Sequence, residues 1–330
     1  MKILITGASG FIGSFIVEEA LNRGFDVWAA VRGTSSKRYL QDPRIHFIQL
    51  NLSSYDALCK QLQNQQFDYV VHAAGVTKCL HAKDFEFINT RGTENLVWAL
   101  INTHQPLKMF VYLSSLSVYG AIHEQQPYQP IKESDRPRPN TAYGRSKLKA
   151  EKFLAATHDF PYIILRPTGV YGPREKDYYL MAKSVKQHID FAVGYKRQDI
   201  TFVYVKDVVQ AVFLAIDHGK SGRKYFLSDG AVYQSSTFSD LIRHELGNPF
   251  LLRVKAPLWV LRVVTTIGEY MGRITGKISA LNNDKYNILK QRNWQCDITP
   301  AQQELGYAPQ YNLERGVKET IAWYKQEGWL

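Results

Sequence analysis

The chain has 330 residues, 45% of them apolar and 13% aromatic, and it carries 41 Lys and Arg against 30 Asp and Glu, a formal net charge of +11. That apolar and aromatic content excludes a disordered chain, and the length suffices for about two domains with ordinary cores. Three cysteines, Cys59, Cys79 and Cys296, without close pairing exclude a disulfide scaffold and a cysteine zinc site. They fit a reducing, cytoplasmic setting, and no metal centre is expected.

The first seven residues meet Gly7 too early for a secretory leader. Residues 2–6 read as a buried strand, residues 11–23 as a helix stopped by Gly24, and residues 26–31 and 44–50 as strands two and three. A helix over 55–63, a strand over 69–73, a long helix over 87–102 and a strand over 109–114 follow. Strand and helix alternating in this way predict a parallel sheet covered on both faces, a doubly wound Rossmann-type α/β domain. Four prolines between Pro127 and Pro139 make a loop. Asn140 or Thr141 then caps a helix over 143–156, and a sixth strand over 162–166 ends at Pro167.

Beyond it the pattern mixes strands (201–205, 224–227) with helices (208–217, 238–246, 258–272, 313–326). The domains expected are 1–170, with 200–227 adding to the same sheet, and a smaller helix-rich substrate domain from 171–199 and 228–330. No window holds 18 uninterrupted apolar residues, so no integral membrane segment is expected. Residues 257–278, broken by Arg262, Glu269, Arg273 and Lys277, read as an amphipathic helix. Its role is packing on the core or on a partner subunit, or else lying on a membrane surface.

Thr6-Gly7-Ala8-Ser9-Gly10-Phe11-Ile12-Gly13 joins the first strand to the first helix. Gly7 permits the tight turn, Gly10 lets the backbone approach a pyrophosphate, and Gly13 lets helix and strand pack closely. The helix N-terminus adds oriented N–H groups. At the end of the second strand an acidic residue would bond the ribose hydroxyls of NAD. Here the residues are Val31-Arg32-Gly33, with Lys37 close behind. A guanidinium fork suits a 2′-phosphate, so NADP(H) is favoured and NAD(H) is the alternative. The positive charge is assigned to such anionic small molecules and not to nucleic acid, because there is no run of five basic residues.

A Tyr-xxx-Lys pair sits on one helical face. The sequence contains the pattern at Tyr128/Lys132, Tyr143/Lys147, Tyr179/Lys183 and Tyr286/Lys290, and only Tyr143/Lys147 starts a helix that follows a strand ending in a serine cluster. A phenol is a poor acid–base group near neutrality; a nearby ammonium lowers its pKa, and a hydroxyl beside it holds a substrate oxygen. Ser115 is placed to do that. His72 reads as a satisfied core histidine, and Cys79 with His81 lacks a full ligand set.

These pieces resemble the extended short-chain dehydrogenase/reductases, the superfamily of nucleotide-sugar epimerases, dihydroflavonol reductases and 3β-hydroxysteroid dehydrogenases. The resemblance rests on Thr6 to Gly13, His72-Ala73-Ala74-Gly75, Asn89 with Gly92-Thr93, Ser114-Ser115-Leu116-Ser117-Val118-Tyr119-Gly120, Tyr143 to Lys147, Leu165-Arg166-Pro167 with Val170-Tyr171-Gly172-Pro173, Val203 to Val208, and Glu304-Leu305-Gly306-Tyr307. It implies Tyr143 as general acid/base, Lys147 as its tuner and a ribose ligand, and Ser115 as donor to the substrate oxygen. Gly7, Ser9, Gly10, Phe11, Ile12, Gly13, Arg32, Lys37, Asn51, Leu52, Ala73, Ala74, Gly75, Asn89, Ser114, Pro167 and Val170 would border the cofactor. Thr77, Lys78, Ser115, Tyr171 and Arg174 would meet a small-molecule substrate. The resemblance also implies a homodimer through the helices over 87–102 and 143–156.

Nucleotide-sugar epimerases of this superfamily usually carry an Asn where this chain has Gly169, and an Arg where it has Ile200. Together with Arg32, those departures favour an NADP(H)-dependent ketone/alcohol oxidoreductase. A nucleotide-sugar epimerase or dehydratase is the alternative, and a non-catalytic nucleotide sensor the third reading.

Overall fold

Seven parallel strands form the centre of the molecule, and their order follows from alternating chain crossovers. The computed structural model describes residues 1–276, 279 and 282–330, with Arg273 by its backbone only. In chain order the first half runs β1 (Lys2–Thr6), α1 (Phe11–Asn22), β2 (Asp26–Val31), β3 (His46–Gln49), α2 (Tyr55–Leu62), β4 (Tyr69–His72), α3 (Ala82–Phe85), α4 (Gly92–Asn102), β5 (Met109–Leu113), α5 (Ala142–Ala156) and β6 (Tyr162–Pro167). Residues 86–91, between α3 and α4, form a π-helical turn. The second half runs β7 (Gly169–Tyr171), α6 (Lys176–Lys186), β8 (Ile189–Val193), β9 (Asp199–Ile200), β10 (Phe202–Tyr204), α7 (Val205–His218), β11 (Lys224–Leu227), β12 (Tyr233–Gln234), α8 (Thr237–Glu245), β13 (Leu252–Ala256), α9 (Leu258–Thr275), α10 (Asn283–Lys290), α11 (Thr299–Leu305) and α12 (Leu313–Gln326).

The main sheet has the order β3-β2-β1-β4-β5-β6-β11, all parallel. This is the doubly wound Rossmann-type fold, and the strand order reverses between β1 and β4. Strands with both faces covered read as continuous apolar runs: Ile3, Leu4 and Ile5 of β1 and Phe110, Val111 and Tyr112 of β5 are all fully buried. One core cluster fills the face under α1 and α7, and a second fills the face under α2, α4 and α5. β11 closes the sheet from the second half of the chain, as the sequence pattern over 224–227 anticipates.

A third core cluster, rich in aromatics, lies in the second half and joins Tyr171, Phe202, Tyr204, Phe238, Tyr311 and Tyr324. Three two-stranded sheets belong to this half: β10 with β7, β12 with β9, and β13 with β8. The Asp207 carboxylate binds the terminal segment by accepting from the backbone N–H of Gln310 and Tyr311 at 2.8 and 3.1 Å. The Arg166 guanidinium makes a buried bidentate pair with Glu151, which ties β6 to α5.

The structure refines the sequence reading at three places. The helix expected over 87–102 begins earlier, at Ala82, and contains the π turn, which a constant 3.6-residue period does not reveal. The Thr141 side chain, accepting from Gly144 N at 2.9 Å, is the cap of α5. The amphipathic segment 257–278 is helical over Leu258–Thr275, and its last two residues lie outside the described ones.

Candidate active site

The glycine loop follows β1 and opens α1. Gly7 has φ +68°, and a Cβ there would lie 2.7 Å from Ala73 C and Ala74 N. A Cβ on Gly13 would lie 2.1 Å from Gly7 O. The loop is therefore pressed against the end of β4 on one side and against its own helix on the other, and only glycines allow it. Gly10 is the extended N-cap of α1, with no side-chain cap and no acidic residue in the first turn. The first N–H groups of α1 consequently face a groove of ≈ 550 Å³ with no protein acceptor supplied by a capping side chain. Unsatisfied helix donors, a close backbone and a groove between two strand ends fit a dinucleotide.

Gly7, Ser9, Gly10, Arg32, Asn51, Leu52, Ala73, Ala74 and Gly75 line this groove. Arg32 is exposed at its rim; its backbone N–H donates to Ser35 Oγ, and its guanidinium makes no ion pair with the described residues. Other residues expected at the cofactor stand behind the groove. Phe11 meets Phe15 edge-on, and Ile12 and Val170 pack on the sheet core. The Lys37 ammonium lies 3.8 Å over the Phe47 ring. Pro167 ends β6 beside Leu227. Ser114 donates to Glu151 and so faces the buried ion pair. Asn89, in the π turn, accepts from Val76 N at 2.8 Å and donates to Val76 O and Ser146 Oγ, both at 3.0 Å. It holds the 75–76 loop in place.

Tyr143 stands in the first turn of α5, and Lys147 lies one turn along the same face. Burial pushes the Tyr143 phenol up to about 12, and the Ser115 hydroxyl bonded to it opposes that rise. Burial also brings the Lys147 ammonium down to about 8, with Glu151 opposing. Lys147 Nζ donates to Leu113 O at 2.7 Å. A Cβ on Gly75 would be 3.4 Å from Nζ, so the lysine lies directly under the groove wall. In this arrangement Ser115 is the group that acts on the phenol, while Lys147 is held at the end of β5. Ser115 Oγ in turn accepts from Ser117 N at 3.2 Å.

His72 is fully occupied by two threonines, with Nδ1 2.7 Å from Thr6 Oγ1 and Nε2 3.0 Å from Thr93 Oγ1. Burial, with Lys147 nearby, holds its imidazole down at about 3, so it is a neutral core residue.

Among the residues expected at the substrate, Thr77 is exposed and Lys78 pairs with Asp177 of α6. The other two lie elsewhere. Tyr171 is fully buried in the aromatic core, with Phe202, Tyr204 and Phe238 around its ring. Arg174, in a left-handed turn at φ 74°, reaches α1: it donates to Ser14 Oγ at 2.9 Å and Glu18 Oε1 at 2.6 Å, and its guanidinium lies near the Phe15 and Tyr39 rings. The turn that follows Gly172 sends it away from Tyr143, which the sequence order alone does not reveal.

One contact has no motif to announce it. Asp284 of α10 accepts from Ala142 N at 2.9 and 3.0 Å and from Tyr143 N at 3.2 Å, supplying negative charge at the start of the helix that carries Tyr143.

The profile of the NAD dependent epimerase/dehydratase family matches residues 3–228. A UDP-glucose 4-epimerase of Vibrio cholerae is 28% identical, over 98% of this chain and 96% of its own. Two solved structures share the fold. A UDP-glucose 4-epimerase from Thermotoga maritima, solved with UDP-glucose, has a TM-score of 0.80 at 22% identity and covers 99% of both chains. A dTDP-glucose 4,6-dehydratase from Bacillus anthracis, solved with NAD, has a TM-score of 0.78 at 21% identity and covers 100% of this chain and 98% of that one. With the glycine loop and groove in place and the family profile spanning the whole sheet, the chain belongs to the NAD-dependent epimerase/dehydratase family, as an NAD(P)-dependent enzyme.

Proposed function

We propose that this enzyme inverts a secondary alcohol of a nucleotide-activated sugar by oxidising it and reducing it again within one site. The observation that carries this reading is the placement of Tyr143 and Lys147 on one face of α5, with Lys147 buried under the wall of the dinucleotide groove and bonded to Leu113 O at the end of β5. The full-length likeness to the Vibrio cholerae epimerase supports the substrate class. It takes precedence over the ketone-reductase expectation drawn from Gly169, Ile200 and Arg32.

A bound nicotinamide would supply reversible hydride transfer at the substrate carbon. Gly7, Ser9 and Gly10 with the α1 N-terminus would hold the pyrophosphate, and Asn51 and Leu52 the adenine side. Ser115 orients the substrate hydroxyl, and Tyr143 accepts its proton and later returns it. The raised phenol means that Tyr143 is neutral in the free protein. Positive charge from Lys147, one turn along the same helical face, would favour its ionised form when it acts as a base. Lys147 is predominantly an ammonium at neutral pH and supplies that charge.

Elimination of water requires a further acid and base near the sugar. The residues after Ser115 are Leu116 and Ser117, and the nearby Asp284 carboxylate is engaged by backbone donors. This supports epimerisation over dehydration. A second reading, NADP(H)-dependent reduction of a ketone, is favoured by one observation, the unpaired Arg32 guanidinium at the groove rim. Neighbours solved with NAD favour NAD instead. Identifying the nucleotide released on denaturation, then titrating stripped protein with NADH and NADPH, separates the readings. Tightly retained NAD supports the epimerase. Readily exchanged NADPH, with preference lost in Arg32→Asp, supports the reductase. We further propose a homodimer through α4 and α5, where Trp98 of α4 is exposed.

A further inference from the structure

α9 is built inside out. The positions turned toward the protein are Leu261, Thr265, Gly268 and Gly272, spaced i, i+4, i+7 and i+11, and Thr265 is completely buried. The opposite face carries Trp259, Val263, Ile267, Tyr270, Met271 and Ile274, all exposed; Trp259 is 70% and Ile274 63% accessible. A helix that docks only for stability shows the reverse, with large side chains inward and small or polar ones outward. The exposed row continues back along the chain into β13, where Leu252 and Val254 are exposed, and to its neighbour on β8, Phe191, which pairs with Val254. Scattered apolar residues on a surface need no explanation, but a contiguous strip of this kind marks an interaction surface.

Charge selects the occupant. Between residues 251 and 290 the sequence has seven basic residues, Arg253, Lys255, Arg262, Arg273, Lys277, Lys285 and Lys290, against two acidic ones, Glu269 and Asp284. Asp284 is turned inward onto α5, and Glu269 accepts from Asn283 N. Arg253 already pairs with Asp190 and Asp240, and Lys285 lies 3.8 Å from Asp177, whereas Lys255 and Arg262 are exposed and make no ion pair with the described residues. A second copy docked face to face would bring two basic rims together, because a two-fold contact sets the same patch on both sides. An anionic lipid surface instead meets both features at once: acyl chains take the apolar row, and headgroups take the lysines and arginines. The helix lies on such a surface and does not cross it, since no helix among the described residues is long and apolar enough to span a membrane.

We propose that the outer face of α9, flanked by β8 and β13, is a peripheral docking surface for an anionic lipid bilayer. α10, which follows α9 and packs against it, holds the start of α5 through Asp284. The docked face thereby belongs to the same helical pair that contacts the start of α5. This inference stands on the surface alone and does not depend on the choice between epimerase and reductase.

The test is co-sedimentation of the purified full-length protein with vesicles. One set is phosphatidylcholine alone, and the other contains about one part in three phosphatidylglycerol. Binding to the anionic vesicles, weakened by salt and lowered by about 10-fold or more in an Ile267→Glu/Ile274→Glu double variant, supports the proposal. Both positions are exposed, so the variant should keep the thermal unfolding and nucleotide affinity of the wild type, and those two measurements verify that it is folded. Failure of the wild type to bind anionic vesicles overturns the proposal, as does equal binding by the double variant. Self-association in sedimentation velocity that the double variant abolishes, without vesicle binding, overturns it in favour of a second copy.

Discussion

The two halves of the chain solve burial differently. Residues 1–167 place apolar runs inside a parallel sheet and polar groups at its strand ends, so Gly10 lines the groove and Lys147 lies beneath its wall at Gly75. Residues 171–330 lend β11 and α7 to that sheet and its core, but the rest of this half buries aromatic rings in a small third cluster and leaves a large apolar helix face exposed. A sheet covered on both faces has a forced geometry, whereas a lobe of two-stranded pairs and short helices is free to vary.

That contrast can be broken from either side. The largest effect is expected for Tyr143→Phe, which keeps the ring against Phe85 but removes the proton carrier. Turnover should fall by about 10²–10⁴ with cofactor affinity unchanged, measured by kcat beside a nucleotide titration.

The next effect lies in the sheet core. The His72 imidazole is held down at about 3 against an ordinary 6.5. The unfolded chain takes up a proton here before the folded one does. The stability due to neutral His72 is thus complete above about 6.5 and is lost as pH falls toward about 3. The full swing is of the order of 5 kcal/mol. Urea unfolding as a function of pH should show a shallower acid loss in His72→Gln than in the wild type.

Two glycines sharpen the comparison directly. Gly13→Ala drives a methyl onto Gly7 O, and Gly316→Ala drives one onto the buried Tyr171 ring, each within 2.1 Å of an atom. Each should cost about 1–3 kcal/mol. Gly13→Ala should also abolish nucleotide binding, while Gly316→Ala should leave it intact in whatever fraction remains folded. Loss of nucleotide affinity in both variants would mean that the halves are not separable. The smallest effect is expected for Asp284→Ala, which leaves the Thr141 cap in place but removes the acceptor of the Ala142 and Tyr143 N–H groups at the start of α5. A loss of about 1 kcal/mol, read as a fall in Tm and recovered by Asp284→Asn, would show that α10 supports the catalytic helix from the second half.

Legibility in the sequence follows the same division. The bounds of β1, β2 and β11 are those that the apolar runs indicate, because glycine, proline or charge punctuates each of them. Tyr143 and Lys147 are readable because four-residue spacing fixes a shared helical face, and Ser115 because it ends a strand. β8 and β13 are not readable: Ile189–Val193 and Leu252–Ala256 carry Asp190, Arg253 and Lys255 among apolar residues, and each strand exists only because the other pairs with it. Asp284 is 142 residues from Ala142 and belongs to no motif, so only the fold brings it to α5. Arg174 has the composition of an anion ligand, but its backbone turn commits it to Glu18.

The most direct test of the central claim uses the protein as purified, with no cofactor added, and a UDP-hexose deuterated at the carbon that bears the inverted hydroxyl. Hydride taken and returned within one site predicts the epimer with its deuterium retained and no net change in nicotinamide absorbance. Accumulation of a ketone, or turnover of a simple carbonyl compound only with added NADPH and none of any nucleotide sugar, would contradict it.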